Sequence, residues 1–302
     1  MLSDSTDLFQ RLSLDESLRR TAAVYREGFL VFSQIGLLVV AIKAIVWALF
    51  LLILMPLFDL DVNQLDDPNY LMQKLGPFYG VLGLNMMVGM VVGAWGNASM
   101  IRVVADIYLQ KEPSVRDCLQ IGARHACTIL TASFLAFWGV MIGLLLFLFP
   151  GLYLSVTWFL VSPAIVMEGL GVFASFRRSS ELVSGSWCYV FCTYMISFIF
   201  MLVIQMVWSA VMVGGNDASH TLFSFFGSIL AAIPGILFIP IFAIMMSIMY
   251  INLRIEKEGL NADRLARNMG ESSGDTAAYS ALLNDSSNEE NNKVDVGFSE
   301  SA

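Results

Sequence analysis

The chain has 302 residues, 57% of them hydrophobic and only 14% charged, with a mean hydropathy of +0.70. Soluble domains carry about 25% charged and about 45–50% apolar residues, so an ordinary soluble fold is excluded. The net charge of −8 points away from nucleic acid as a partner.

Residues 1–28 form a polar N-terminal segment with an amphipathic helix ahead of the first apolar stretch. Asp4, Asp7, Asp15, Glu16 and Glu27 argue against a cleavable leader, because transit peptides are poor in acids and signal peptides need a short apolar core. Six apolar stretches then fill residues 29–255: Phe29–Phe58, Phe78–Val104, Ala126–Phe149, Leu152–Met167, Trp187–Val213 and Phe223–Leu253. Each suits a hydrocarbon layer about 30 Å thick. The absence of a period-2 pattern predicts helices rather than a barrel. The third and fourth stretches are split only by Pro150-Gly151, which reads as a tight turn. Residues 256–302 hold ten acidic and four basic residues. From about 270 this tail is too polar to bury a core, which predicts disorder.

Basic residues set the orientation. Of 17 Lys and Arg, 15 fall in the N-terminal segment, in the loops after the second and fourth stretches, or in the tail. The opposite loops hold Asp59, Asp61, Asp66, Asp67 and Asp217. By the positive-inside rule, six spans place both termini in the cytoplasm.

The chain also suggests three copies of one unit: interfacial helix, span, outer turn, second span. Ser17-Leu18-Arg19-Arg20-Thr21 precedes the first stretch, Cys118-Leu119-Gln120 the third, and Ser175-Phe176-Arg177-Arg178-Ser179 the fifth. Pro77, Pro150 and Pro234 would each open the second helix of a pair, where the missing N–H is no loss.

Few residues carry chemistry. His125 and His220 fall on opposite sides of the membrane, and no nucleophile, phosphate-loop or paired-cysteine motif is present. Cys188 and Cys192 read as packing residues, and neither a metal nor a cofactor is expected. Lys43 is the one basic residue deep in a span. An intramembrane charge is a functional hypothesis by default, and snorkelling to the inner face is the structural alternative. Glu168 ends the fourth stretch after Pro163, which should kink the helix. Arg177 or Arg178 is its expected ion-pair partner. Asn85, Asn97 and Gln205 would hydrogen-bond between helices, and Gly89-x-x-x-Gly93 would be a close-packing face. Arg19, Arg20, Arg177 and Arg178 are candidate contacts to anionic headgroups on the cytoplasmic face. Tyr279-Ser280-Ala281-Leu282 fits a short endomembrane sorting pattern.

Pro163-Ala-Ile-Val-Met-Glu168, Ala174-Ser-Phe-Arg-Arg-Ser179 with Leu182, and Tyr250-Ile-Asn-Leu-Arg254 with Glu258-Gly259-Leu260 together resemble the glycerophosphoryl diester phosphodiesterase membrane-domain family. The resemblance covers about residues 14–265. It implies an all-α polytopic membrane bundle and makes Arg254 a candidate polar site residue. The family usually has Asp where this chain has Asn252. Some of its members precede a soluble phosphodiesterase domain, and no such domain follows Arg267 here. The first functional expectation is therefore a non-enzymatic scaffold or accessory protein that meets lipid or a partner at its basic inner face. A small-solute or lipid permease built from the repeats is the alternative, and a headgroup enzyme comes last.

Overall fold

A computed structural model describes residues 13–54, 68–214 and 232–269. His220, the aspartates of the expected outer loops, the tail from 270 and its Tyr279 pattern lie outside the described residues. The side chains of Lys74, Gln205 and Trp208 lie outside them too.

Helix α1, Leu14–Glu27, starts with a reciprocal capping box. The Glu16 N–H donates to Ser13 Oγ at 3.4 Å, and the Ser13 N–H donates to Glu16 Oε2 at 2.8 Å, so two orphan donors are satisfied at once. Ser17, Thr21 and Val24 are buried, the spacing of one helix face. That face docks on the bundle, and Arg19 stays outside, paired with Asp15. The expected amphipathic helix is thus present, but it packs on protein.

Helix α2 runs over Phe29–Leu54 and α3 over Pro68–Tyr108. Pro77 lies inside α3 and does not open it. Arg102, expected in a loop, sits in the same helix. Only residues 109–114 separate α3 from α4, Val115–Leu146. Cys118-Leu119-Gln120 is therefore part of α4 and forms no separate interfacial helix.

The third and fourth stretches part at Phe147, which is extended (φ −163°, ψ 152°). Pro150 and Gly151, expected to be the turn, fall in the first turn of α5, Leu148–Thr157. A Cβ on Gly143 would lie 2.9 Å from the Gly151 backbone, so the hairpin closes by glycine-to-glycine contact. The chain breaks again at residues 158–160, before α6, Val161–Glu168. Pro163 sits in the first turn of α6, so the break precedes the proline, and Ser179 of the next helix spans it. The Ser179 hydroxyl donates to the Thr157 carbonyl at 2.6 Å and accepts from the Leu160 N–H at 3.3 Å. Both groups would otherwise be stranded in an apolar core.

Helices α7 (Val172–Val183), α8 (Trp187–Gly214), α9 (Ala232–Glu258) and α10 (Ala262–Asn268) complete the order. Helix α9 carries the sixth apolar stretch and packs against α1, α2 and α3; its side chains are described from Pro240 onward. Among the described residues, five helical segments are long and apolar enough to cross a membrane: Phe29–Phe50, Gly76–Tyr108, Val115–Leu146, Leu148–Glu168 and Trp187–Ile204. The protein is an all-helical bundle of multi-pass membrane type.

Packing is concentrated at one end. Residues 98–108 of α3 and 243–254 of α9 are buried without interruption. Towards the other end Leu84, Met87, Leu145, Phe149 and Ile199 project from the bundle. In hydrocarbon such side chains lose nothing by staying outside, and association rests on close contact. The contacts fall at Gly96 and Gly122, whereas Gly89 of the expected Gly89-x-x-x-Gly93 face has open space around it. A Cβ on Gly122 would lie 2.2 Å from Ser99 Oγ, 3.0 Å from the Ser99 nitrogen and 3.1 Å from the Trp95 carbonyl oxygen.

Gly122→Ala should destabilise the bundle by about 1–3 kcal/mol, because the Ser99 hydroxyl would have to leave its bond to the Trp95 carbonyl and the backbone behind it cannot yield. Gly89→Ala should be neutral or mildly stabilising. Melting temperatures of the purified variants in one detergent check both.

Candidate functional site: a buried arginine and carboxylate cluster

Glu168 is the last residue of α6. Gly169 follows in the left-handed region (φ 64°), a conformation that costs glycine little. Gly171 then caps α7, and the chain returns so that Arg178 meets Glu168. Arg178 Nε lies 3.0 Å from both carboxylate oxygens, and its Nη2 lies 2.9 Å from Oε1. Of the two expected partners, Arg178 makes the pair. Arg177 points outward to Glu181, four residues on.

Three residues of α9 complete the cluster. Tyr250, Arg254 and Glu258 are spaced by four and share one helix face. The Tyr250 hydroxyl donates to Glu168 Oε1. Arg254 Nε lies 3.2 Å from Glu168 Oε1 and 3.1 Å from Glu258 Oε2. Arg178 also donates to Glu258 Oε2 through Nη2 at 2.7 Å. The Arg254 guanidinium carbon lies 5.8 Å from the centre of the Tyr250 ring, within cation–π range. Two cations face two anions, and the Arg254 side chain is only 6% exposed. Beyond the apolar part of α9, the Arg178 guanidinium, followed by that of Arg254, holds the Glu258 carboxyl below its usual range. The same contacts, Glu258 first, push the Arg178 guanidinium above its ordinary value. Tyr250 and Glu258 were not among the expected site residues, although both stand in a motif that carries the family resemblance and the i, i+4, i+8 spacing on a helix ending in polar residues was the available signal.

A second polar group ties α1 to the same end. Asn252, 2% exposed, donates to the Tyr189 hydroxyl at 2.9 Å, which is 2.8 Å from Ser17 Oγ. Arg20 donates to the Tyr108 hydroxyl. One turn before Tyr108, Arg102 and Asp106 form a buried pair at 2.9 Å, and Cys118 Sγ donates to Asp106 at 3.5 Å. In both Ser-x-Arg-Arg segments the first arginine faces out and the second faces in. Of the four expected headgroup contacts, Arg20 and Arg178 are thus taken up by protein, which leaves Arg19 and Arg177 at the surface.

Lys43 belongs to neither group. Its ammonium lies against α3, 3.7 Å from where a Cβ on Gly93 would stand. With Asn85 it lines a cleft of about 350 Å³ between α2 and α3. His125 is partly buried in α4, and no group of metal-ligating side chains exists among the described residues.

Residues 117–281 match the model of a family described as a domain of unknown function (DUF8558). The chain belongs to this family. The matched stretch contains all five residues of the arginine and carboxylate cluster; Lys43 and α1 lie before it. Neither the curated proteins nor the solved structures contain a match.

Glu168→Ala and Arg178→Ala should each cost about 3 kcal/mol, because each strands buried charge. Arg177→Ala should stay within about 0.5 kcal/mol. The Glu168–Arg178 double mutant should fall short of additivity by about 1–3 kcal/mol. Thermal unfolding in detergent over that cycle is the measurement; additive losses would dissolve the pair.

A pH series gives a separate check. The Glu258 carboxyl is depressed in the fold, so its contribution is complete above the ordinary carboxylate value of about 4.3. It is lost as pH falls through the lower folded value. Melting temperature should decline below about pH 4.3, and Glu258→Gln should flatten that part of the decline.

Proposed function

We propose that this protein is a non-enzymatic scaffold or accessory protein of the bilayer, with six spans and both termini in the cytoplasm. On this reading α9 is the sixth span. The closely packed end is the cytoplasmic one, and α1 and α7 lie along the inner surface. One observation carries the proposal: every charged side chain of the Glu168 cluster is held by another member of the cluster. An acid–base catalyst needs a group within reach of the substrate proton it moves. Here each carboxylate is already committed to arginine, and the Arg254 side chain is almost wholly covered. Geometry of this kind locks α6, α7 and α9 together.

The Ser-x-Arg-Arg parallel between α1 and α7 supports repeated units: Arg20 meets Tyr108 of α3, and Arg178 meets Glu168, which also accepts from Tyr250 of α9. The same residues support kinship with the glycerophosphoryl diester phosphodiesterase membrane-domain family, since Glu168, Arg178, Tyr250, Arg254 and Glu258 all fall in the motifs that carry that resemblance. The inner surface offers Arg19 and Arg177, each offset by an acid four residues away, along with exposed Arg26, Arg116, Arg124, Lys257, Arg264 and Arg267. Anionic lipid of the cytoplasmic leaflet is the partner that this surface suits, at about 1 kcal/mol per basic residue near the membrane. A permease is the second reading, favoured by the cleft at Lys43.

Single cysteines at Asp66 and Asp217 should react with an impermeant maleimide only from outside. Those at Ser114, Ser180 and Ser280 should react only from inside. Labelling of Asp66 or Asp217 from the cytoplasmic side would sink the six-span arrangement.

A further inference from the structure

The cleft at Lys43 combines three properties that the Glu168 cluster lacks. It is open, it lies far from either end of its helices, and its cation has no carboxylate partner among the described residues. Lys43 is fourteen residues into α2, about 21 Å from Phe29 at the rise of an α-helix. Eleven residues, about 16 Å, separate it from Leu54. Both distances exceed what a four-carbon stem can reach. The ammonium therefore sits within the apolar layer, where an uncompensated charge is costly.

The walls are Val46, Trp47, Met86, Gly89 and Val92, with the Asn85 amide as the second polar group. Trp47 and Met86 are also exposed on the outside of the bundle, so the cleft opens sideways into the surrounding hydrocarbon. The bare backbones of Gly89 and Gly93 make the room, since a Cβ on Gly89 would touch nothing within 4 Å. The volume lies at the lower end of the range of small-molecule sites, which are mostly apolar with a few placed polar groups.

We infer that this cleft binds the head of a lipophilic carboxylic acid, such as a long-chain fatty acid, with the carboxylate on Lys43 and Asn85 and the chain leaving between α2 and α3 into the bilayer. Depth selects the class. A carboxylic acid can cross the hydrocarbon neutral, and where Lys43 waits as the uncharged amine, the form that an apolar layer favours, the acid hands its proton to Nζ and leaves a carboxylate beside an ammonium. A phosphodiester stays ionised and is held at the headgroup level. Once bound, the carboxylate and ammonium neutralise each other, and the Asn85 amide can donate a further hydrogen bond. The inference rests on α2 and α3 crossing the membrane, not on whether the protein transports anything.

The test uses the full chain in phosphatidylcholine nanodiscs with a diazirine-bearing palmitic acid as probe. Cross-links should map to residues 43–47 and 85–92. Unlabelled palmitic acid should compete, and methyl palmitate should compete about tenfold less well, because it lacks the charge-assisted contact. Lys43→Met keeps the stem and removes the charge, so folding is not threatened. Gly89→Leu directs a side chain into the cleft from a position where a Cβ would meet nothing within 4 Å. Each should weaken binding about tenfold or more, with the elution profile of the protein unchanged. Equal competition by the methyl ester, or unchanged binding in both variants, would overturn the site. Stronger competition by phosphatidic acid than by palmitic acid would overturn the carboxylic-acid assignment. Alkaline carbonate extraction of native membranes reads the membrane crossing separately: release of the protein would overturn that reading, and the site with it.

Discussion

A carboxylate stands at the end of an apolar helix, and much of the architecture at the packed end serves to keep it from being alone. Glu168 cannot leave its position, because α6 is short and buried along nearly its whole length. Desolvating an ion costs several kcal/mol unless partners replace the lost water. Arg178 supplies a fork to both oxygens, and Arg254 and Tyr250 approach from α9. The second carboxylate, Glu258, is then required to balance the second guanidinium. Removing any one member would leave another charged group half-solvated. The cluster therefore fixes the mutual placement of α6, α7 and α9 more firmly than apolar contact could in a solvent that is itself apolar.

The serine of the same segment extends that logic to the backbone. Ser179 follows Arg178 directly, so the turn that delivers the arginine also delivers a hydroxyl to the break between α5 and α6. The break frees backbone groups in a region without water, and one side chain satisfies two of them. The segment Ser175–Ser179 is thus both the charge partner and the splint of the broken helix. Ser17–Thr21 occupies the comparable place on α1, with Arg20 on Tyr108 and Ser17 on Tyr189. Asn252 sits where an acid is usual in the resembling family. Its amide donates to the Tyr189 hydroxyl, a bond that a carboxylate could only accept. An uncharged residue at this position joins α8 and α9 through that donated bond.

The two ends of the bundle differ in what the side chains need. At the packed end polar groups must be matched, which demands close and specific contact. At the other end α2, α3, α4 and α8 carry apolar side chains all round, and lipid satisfies those as well as protein does. Separation of helices there costs little, and a lateral cleft such as that at Lys43 can persist without a compensating core.

Composition, hydropathy and the spacing of basic residues by themselves determined the helical membrane class, because hydrocarbon thickness and backbone satisfaction leave few alternatives. The sequence also singled out Glu168, Arg178 and Lys43, since a charge beside an apolar run is conspicuous in one dimension, while Arg254 came from the family resemblance. It could not choose between Arg177 and Arg178. Adjacent residues on a helix differ by about 100°, and only the seating of α7 says which faces inward. Nor could it decide the breaks at Phe147 and at residues 158–160, where the prolines pointed a few residues downstream. Glycine contact across the hairpin and the hydroxyl of a later helix set those positions. Tyr250 and Glu258 became site residues only when α9 was laid beside α6, and the direction of the Lys43 ammonium was decided by open space over Gly93. Class followed from the solvent that the chain must meet, while partners followed from which helix faces came together.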